Sequence, residues 1–187
     1  LERALRLFWE KGYDRTSVSD IGEALGVGPS SIYNAFGSKA ELFRRTIEHY
    51  AGTHAAFVRD VVHSSDGRPI EESLRELLHR AVSLYTTKGL PPGCAMLQAG
   101  GSGGSTDSEG GLIAKEFRCS LEKGLRDLLT RASRNEALAA SPRILAKYLV
   151  GVMRGLSQLA ADGASRKDLL EVADHALGNC VSPESEG

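Results

Sequence analysis

The stretch Thr16–Phe43, TSVSDIGEALGVGPSSIYNAFGSKAELF, decides how the rest of the chain is read. It predicts a helix, a tight turn, a short helix and the start of a third. Val18, Ile21 and Leu25 fall on one face at helical spacing. Ser17 stands before them as an N-cap, with Asp20 three residues on, the spacing of a capping box. Gly26 ends that helix, because a residue without Cβ takes up left-handed backbone at little cost. Val27 is expected to tuck its side chain between the two helices. Pro29 suits the first position of the next helix, where its missing N–H is no loss. Ile32 and Phe36 face inward, which leaves Ser30, Ser31 and Asn34 outward and Tyr33 at the border. Gly37 breaks the short helix, and Ser38, with Glu41 three residues later, caps the next.

A short outward-facing helix held against a preceding one by a glycine turn is the geometry of a helix-turn-helix, whose second helix enters a DNA major groove. The same pattern also fits a plain helical hairpin in a core. The stretch resembles the DNA-binding segment of the TetR family of bacterial transcription regulators. The match runs through Phe8, Gly12, Tyr13, Thr16, Ile21, Gly26-Val27, Ile32-Tyr33, Phe36, Ser38-Lys39 and Leu42. It covers about the first quarter of the chain. Two positions depart from the family pattern: Gly28 replaces the usual serine or threonine cap, and Gly22 the usual alanine. Each is expected to loosen a helix end by up to about 1 kcal/mol.

The resemblance implies a fold and a set of contacts. The fold is all-α: an N-terminal three-helix bundle with the helix-turn-helix, residues 1–48, then a larger helical effector-binding and dimerisation domain, residues 49–187. Tyr33 and Lys39 match residues that contact the DNA backbone. For Lys39 the physics agrees, since a cation in the first turn of a helix meets a phosphate together with free N–H groups. Ser30, Ser31 and Asn34 are candidates for base edges: hydroxyls donate or accept, and asparagine pairs with adenine. Gly28 and Pro29 open the reading helix, and Thr16 and Ser17 open the helix before it as anchors for a second phosphate.

The other features of the 187-residue chain bound this reading. Charged residues make up 25% and hydrophobic ones 41%, ordinary for a globular protein that buries a real core. No apolar run is long enough to span a bilayer and no signal peptide is visible, so no membrane role and a cytoplasmic location are expected. The chain opens within a helical stripe, LERALRLF, without a methionine, which suggests residues upstream. The net charge of −1 is not that of a basic DNA binder, but affinity needs positive charge only at the phosphates. Cys94, Cys119 and Cys180 are odd in number and lack a CxxC, which argues for reduced thiols and against a zinc site. No cofactor or metal is called for. The five histidines do not pair at metal-ligand spacing, and no GxSxG or catalytic cysteine signature appears, so the chain does not read as an enzyme.

Leu1, Ala4, Leu5 and Phe8 form the inward stripe of a first helix that packs across the helix-turn-helix. From Ser38 one long helix is expected to run toward Val62, shared by both domains. Ser64–Gly67 is a turn cluster, and Gly100–Gly111, GGSGGSTDSEGG, reads as a flexible loop. Helical stripes follow at Leu112–Leu129, Ile144–Leu156 and Leu169–Leu177. No segment alternates as a half-buried strand does.

One reading helix makes too few contacts for high specificity, so a homodimer on palindromic double-stranded DNA is expected. Gly151 and Gly155 would let a partner helix approach, with Leu156, Leu159 and Leu177 filling the seam. In the family these last two helices pair into an intermolecular four-helix bundle. Phe57, Tyr85, Cys94, Met96, Phe117 and Met153 are candidates to line a pocket for an apolar small-molecule effector, although aromatic and methionine residues at helical spacing also suit plain core. Cys94 follows Pro-Pro-Gly, where a helix N-terminus would lower its thiol pKa and make it an electrophile or oxidant sensor. A helical adaptor without DNA binding is the remaining alternative.

Overall fold

The computed structural model describes residues 1–64, 67–99 and 108–181. Its ten helices among those residues are α1 (Glu2–Lys11), α2 (Val18–Leu25), α3 (Pro29–Phe36), α4 (Lys39–Gly52), α5 (Ala56–Val62), α6 (Ile70–Tyr85), α7 (Ala95–Gln98), α8 (Glu109–Ala132), α9 (Pro142–Ala161) and α10 (Arg166–Leu177). The only β pairing described is an isolated bridge between Leu138 and Val181.

The first three helices form where the caps predict. Ser17 accepts from the Asp20 N–H while the Asp20 carboxylate accepts from the Ser17 N–H, a complete capping box. Those bonds and Lys11 hold the Asp20 carboxyl well below the usual carboxylate range. Ser38 caps α4 through the Glu41 N–H. Gly26 takes the left-handed conformation that ends α2, at φ 71 and ψ 33.

Gly22 has a positive reason to lack a side chain. A Cβ there would lie 2.7 Å from the Val27 carbonyl oxygen, and the Val27 N–H donates to the Gly22 carbonyl at 2.9 Å. The turn therefore presses directly onto α2, and Val27 does not tuck between the helices. It is 43% exposed.

An aromatic cluster joins α1 to α4. Phe43 meets Phe8 edge-on at 5.0 Å between ring centroids and Tyr13 at 5.1 Å, and Trp9 meets Tyr50 edge-on at 5.1 Å. Contact at such geometry stabilises beyond area burial. Buried residues run on without a break into the larger helical part, where α6, α8, α9 and α10 pack together.

The long helix expected from Ser38 to Val62 is two helices. The backbone leaves the helix at Thr53, and the Ala55 N–H returns to the Tyr50 carbonyl before α5 starts. Glu2 of α1 receives the side chains of His49 at the end of α4 and of His54 within the break, at 3.3 and 3.2 Å. Of the segment read as a loop, residues 100–107 lie outside the described residues, as do Ser65 and Asp66 of the turn cluster and residues 182–187. Glu109–Gly111 are already the first turn of α8, capped by Ser108.

Candidate nucleic-acid interface

α3 is anchored by Ile32 and by the half-buried Phe36, and is exposed on the rest of its surface. Ile32 is 1% exposed, while Pro29, Ser30, Ser31, Asn34 and Ala35 are exposed and Tyr33 is half exposed. Gly28 occupies the cap position without a side-chain bond, which leaves the start of the helix uncovered. The exposed groups are hydroxyls, an amide and a phenol, a set that donates and accepts at base edges and phosphates.

Lys39, the first residue of α4, flanks this surface. Its ammonium sits 4.1 Å from the centroid of the Tyr13 ring. Partial burial lowers its pKa, and Asp14, Glu109 and Asp20 act in the opposite direction. The Tyr13 hydroxyl donates to Glu109 at 3.1 Å, and burial together with that carboxylate pushes the phenol up to about 12.

The start of α2 does not fit its expected role. Thr16 is fully buried, and its hydroxyl donates to the Gly12 carbonyl at 2.7 Å, four residues back. It has no surface to offer a phosphate. The Ser17 hydroxyl and N–H both donate to the Asp20 carboxylate within the capping box, which leaves neither to meet a phosphate. Neither residue is retained as an anchor.

The candidate effector residues divide. Phe57, Tyr85, Cys94, Met96 and Met153 do converge, but with Tyr50 they surround a void of only about 10 Å³, room for one water at most. They are packed core in this conformation. Phe117 instead walls an adjoining cleft of about 260 Å³ between α4–α5 and α8, with Met96, Val58, Val62 and Leu121. Met96 belongs to both. A larger cleft of about 450 Å³ lies between α1 and the Pro91–Ala99 segment, with Glu10 and Arg15 in its wall.

Cys94 is not the activated thiol expected. It caps a helix of four residues, too short for a strong dipole, and is 4% exposed. Burial pushes its thiol pKa up, against opposing hydrogen bonds that include the Tyr50 hydroxyl at 3.3 Å. With iodoacetamide at pH 7, exposed Cys119 is expected to label first, and Cys94 about tenfold or more slower than a model thiol. Cys94 labelling at the model rate would show that the core opens readily.

On the dimerisation face the residues also divide. Gly151 and Gly155 are exposed, and a Cβ on either would meet nothing within 4 Å. Leu159 is 41% exposed and continues an outward stripe with Ile144 and Tyr148, beside Val172 of α10. Leu156 and Leu177 are each 1% exposed and pack into the chain's own core, so they do not fill a seam.

Two contacts join the N-terminal helices to α8 and lie beyond any local sequence pattern: Tyr13 to Glu109, 96 residues away, and Arg44 of α4 to Glu116 at 2.7 Å.

Residues 1–46 match the family model described as bacterial regulatory proteins, tetR family. The HTH-type transcriptional repressor BdcR of Escherichia coli K12 is 34% identical over 167 residues, 89% of this chain and 80% of its own length. The repressor ComR of the same organism is 27% identical over 182 residues, 95% of this chain and 85% of its own. A solved structure of a cysteine mutant of the TetR family regulator CifR, complexed with 26-bp double-strand operator DNA, superimposes with a TM-score of 0.85. It is 31% identical and the match covers 95% of this chain and 93% of that one.

Proposed function

The chain belongs to the TetR family of DNA-binding transcriptional regulators, and from that premise we propose that it is a homodimeric repressor released from a palindromic operator by a small apolar effector. The observation that carries this is the exposed face of α3. Ile32 and the half-buried Phe36 are spent on the core, and every polar side chain of that helix is free to meet a groove. An adaptor without DNA binding would have no use for such a face. The described residues contain no helix long and apolar enough to cross a membrane; a cytoplasmic location follows from a DNA target.

Contacts sort into positioning and readout. Lys39 and Tyr33 grip phosphates; Ser30, Ser31 and Asn34 read bases, with Gly28 and Pro29 letting the backbone come close. Lys39→Ala is expected to weaken binding to matched and scrambled operators alike and to flatten the salt dependence by about one phosphate contact per reading helix. Asn34→Ala is expected instead to relax the preference among operators, by about 1–3 kcal/mol at the affected base pair. Salt-titrated mobility-shift assays on the protein's own upstream region distinguish the two patterns. An unchanged salt slope for Lys39→Ala would remove that residue from the interface.

The dimer forms through the outward stripe of α9, where Gly151 and Gly155 admit a partner helix and Ile144, Tyr148, Leu159 and Val172 surround the approach. The effector enters the 260 Å³ cleft between α4–α5 and α8, whose walls are mostly apolar, and reaches the tighter core past Met96. The cleft between α1 and Pro91–Ala99 is more charged and suits an apolar ligand less. Release requires that the ligand favour the arrangement in which the two reading helices no longer fit the duplex.

A further inference from the structure

We infer that Tyr13 is a positioning residue for Lys39, seated in a socket that α8 provides at Gly110, so that the first turn of α8 sets where the phosphate-gripping cation stands. The inference rests on the phosphate role given to Lys39 above. It adds a second link between the effector-binding part and the reading head, distinct from α4.

Three observations support it. The socket is tight: a Cβ on Gly110 would lie 2.2 Å from Cγ, 2.4 Å from Cδ1 and 2.6 Å from Cβ of Tyr13. No real Cβ tolerates those distances, so Tyr13 occupies the space that any side chain at position 110 would need. The socket is also latched, because the Tyr13 hydroxyl donates to Glu109 of the same turn and Ser108 donates to Asp14 at 3.2 Å. The ring also carries the cation: the Lys39 ammonium stands over it at 4.1 Å, an arrangement that attracts a cation electrostatically.

The route to the ligand is short. Phe117 and Leu121 of α8 wall the 260 Å³ cleft. Phe117 lies seven residues from Gly110, about 10 Å along the helix. A ligand that slides or tilts α8 carries the socket with it. Tyr13 must follow or leave, and Lys39 loses the ring beneath it.

Two measurements test this. Reductive methylation with ¹³C-formaldehyde gives each lysine an NMR signal, and Lys39→Ala identifies the one from Lys39. In the native protein that signal is expected upfield of the others, from the ring current of Tyr13. Gly110→Ala returns it to the common position, and Tyr13→Phe, which keeps the ring and loses only the hydrogen bond to Glu109, moves it part of the way. Glu109→Ala, at an exposed site, moves it part of the way. The second measurement is operator affinity against KCl. Gly110→Ala lowers affinity about 3- to 10-fold and flattens the log–log slope by about 0.9 per reading helix. Combined with Lys39→Ala, it adds less than about twofold, because both remove the same contact.

A Lys39 signal that is not displaced in the native protein, or is unmoved by Gly110→Ala and Glu109→Ala, overturns the inference. So does a double variant whose losses multiply. If Lys39→Ala leaves the salt slope intact while the NMR displacement behaves as described, the socket stands and the phosphate role is what fails.

Discussion

Phe43→Ala is expected to cost about 3–5 kcal/mol of stability and to abolish operator binding. The residue is 1% exposed and stands between two other rings, Phe8 at 5.0 Å and Tyr13 at 5.1 Å. Truncation removes the ring's transfer energy and leaves a hole whose neighbours are themselves rigid aromatics, which close over a cavity poorly. The functional loss should exceed what the unfolded fraction explains. Without Phe43, Tyr13 has lost one wall, and Lys39 rests on Tyr13. The chain's single tryptophan, Trp9, lies in the adjoining ring pair with Tyr50 and reports urea unfolding by fluorescence. A stability loss under about 1 kcal/mol, with binding retained, would mean that the aromatic cluster does not hold the reading head together.

Gly151→Glu with Gly155→Glu is expected to give a folded monomer whose affinity for a palindromic operator falls by about 10²- to 10⁴-fold. Both positions are exposed and both Cβ atoms would enter open space, so the isolated chain has nothing to lose. Replacing glycine in a helix interior removes a propensity penalty of about 1 kcal/mol per site, so the variant should unfold no earlier than its parent would as a monomer. The damage falls on the partner helix, which cannot come close past two charged side chains. With one reading helix per molecule, the second half-site no longer binds at the high effective concentration that tethering provides. Sedimentation at micromolar concentration and operator titration read the two effects separately. A variant that remains dimeric would move the interface away from this face of α9.

The capping box of Ser17 and Asp20, the Ser38 cap and the inward set of Ile21 and Ile32 were legible because each depends on residues within four positions of one another. What was not legible depended on which elements become neighbours. Leu156, Leu159 and Leu177 look alike in sequence; the packing of α6 and α8 against α9 and α10 buries the first and last and leaves Leu159 outside. A polar residue at a helix start reads as a phosphate anchor, yet the Thr16 hydroxyl turns back to Gly12 and lets the core close over it. The glycine at position 22 reads as a defect in sequence, and only the Val27 carbonyl against it supplies the reason for it. A Pro-Pro-Gly-Cys start says nothing of helix length, and α7 stops after one turn, which leaves Cys94 without the dipole.

The interruption at Thr53–Ala55 bears on how force travels between the two parts of the molecule. An unbroken rod from Ser38 to Val62 would transmit torsion as well as lean, and a ligand twisting α5 would spin the reading head about the rod's axis. A break in the rod weakens the transmission of both unless something braces it. At this knuckle a carboxylate from the neighbouring helix, Glu2, is clasped by one imidazole from the end of α4, His49, and one from the joint itself, His54. The clasp makes α1 the splint across the fracture, so the head swings as a unit with α1 instead of rolling beneath it.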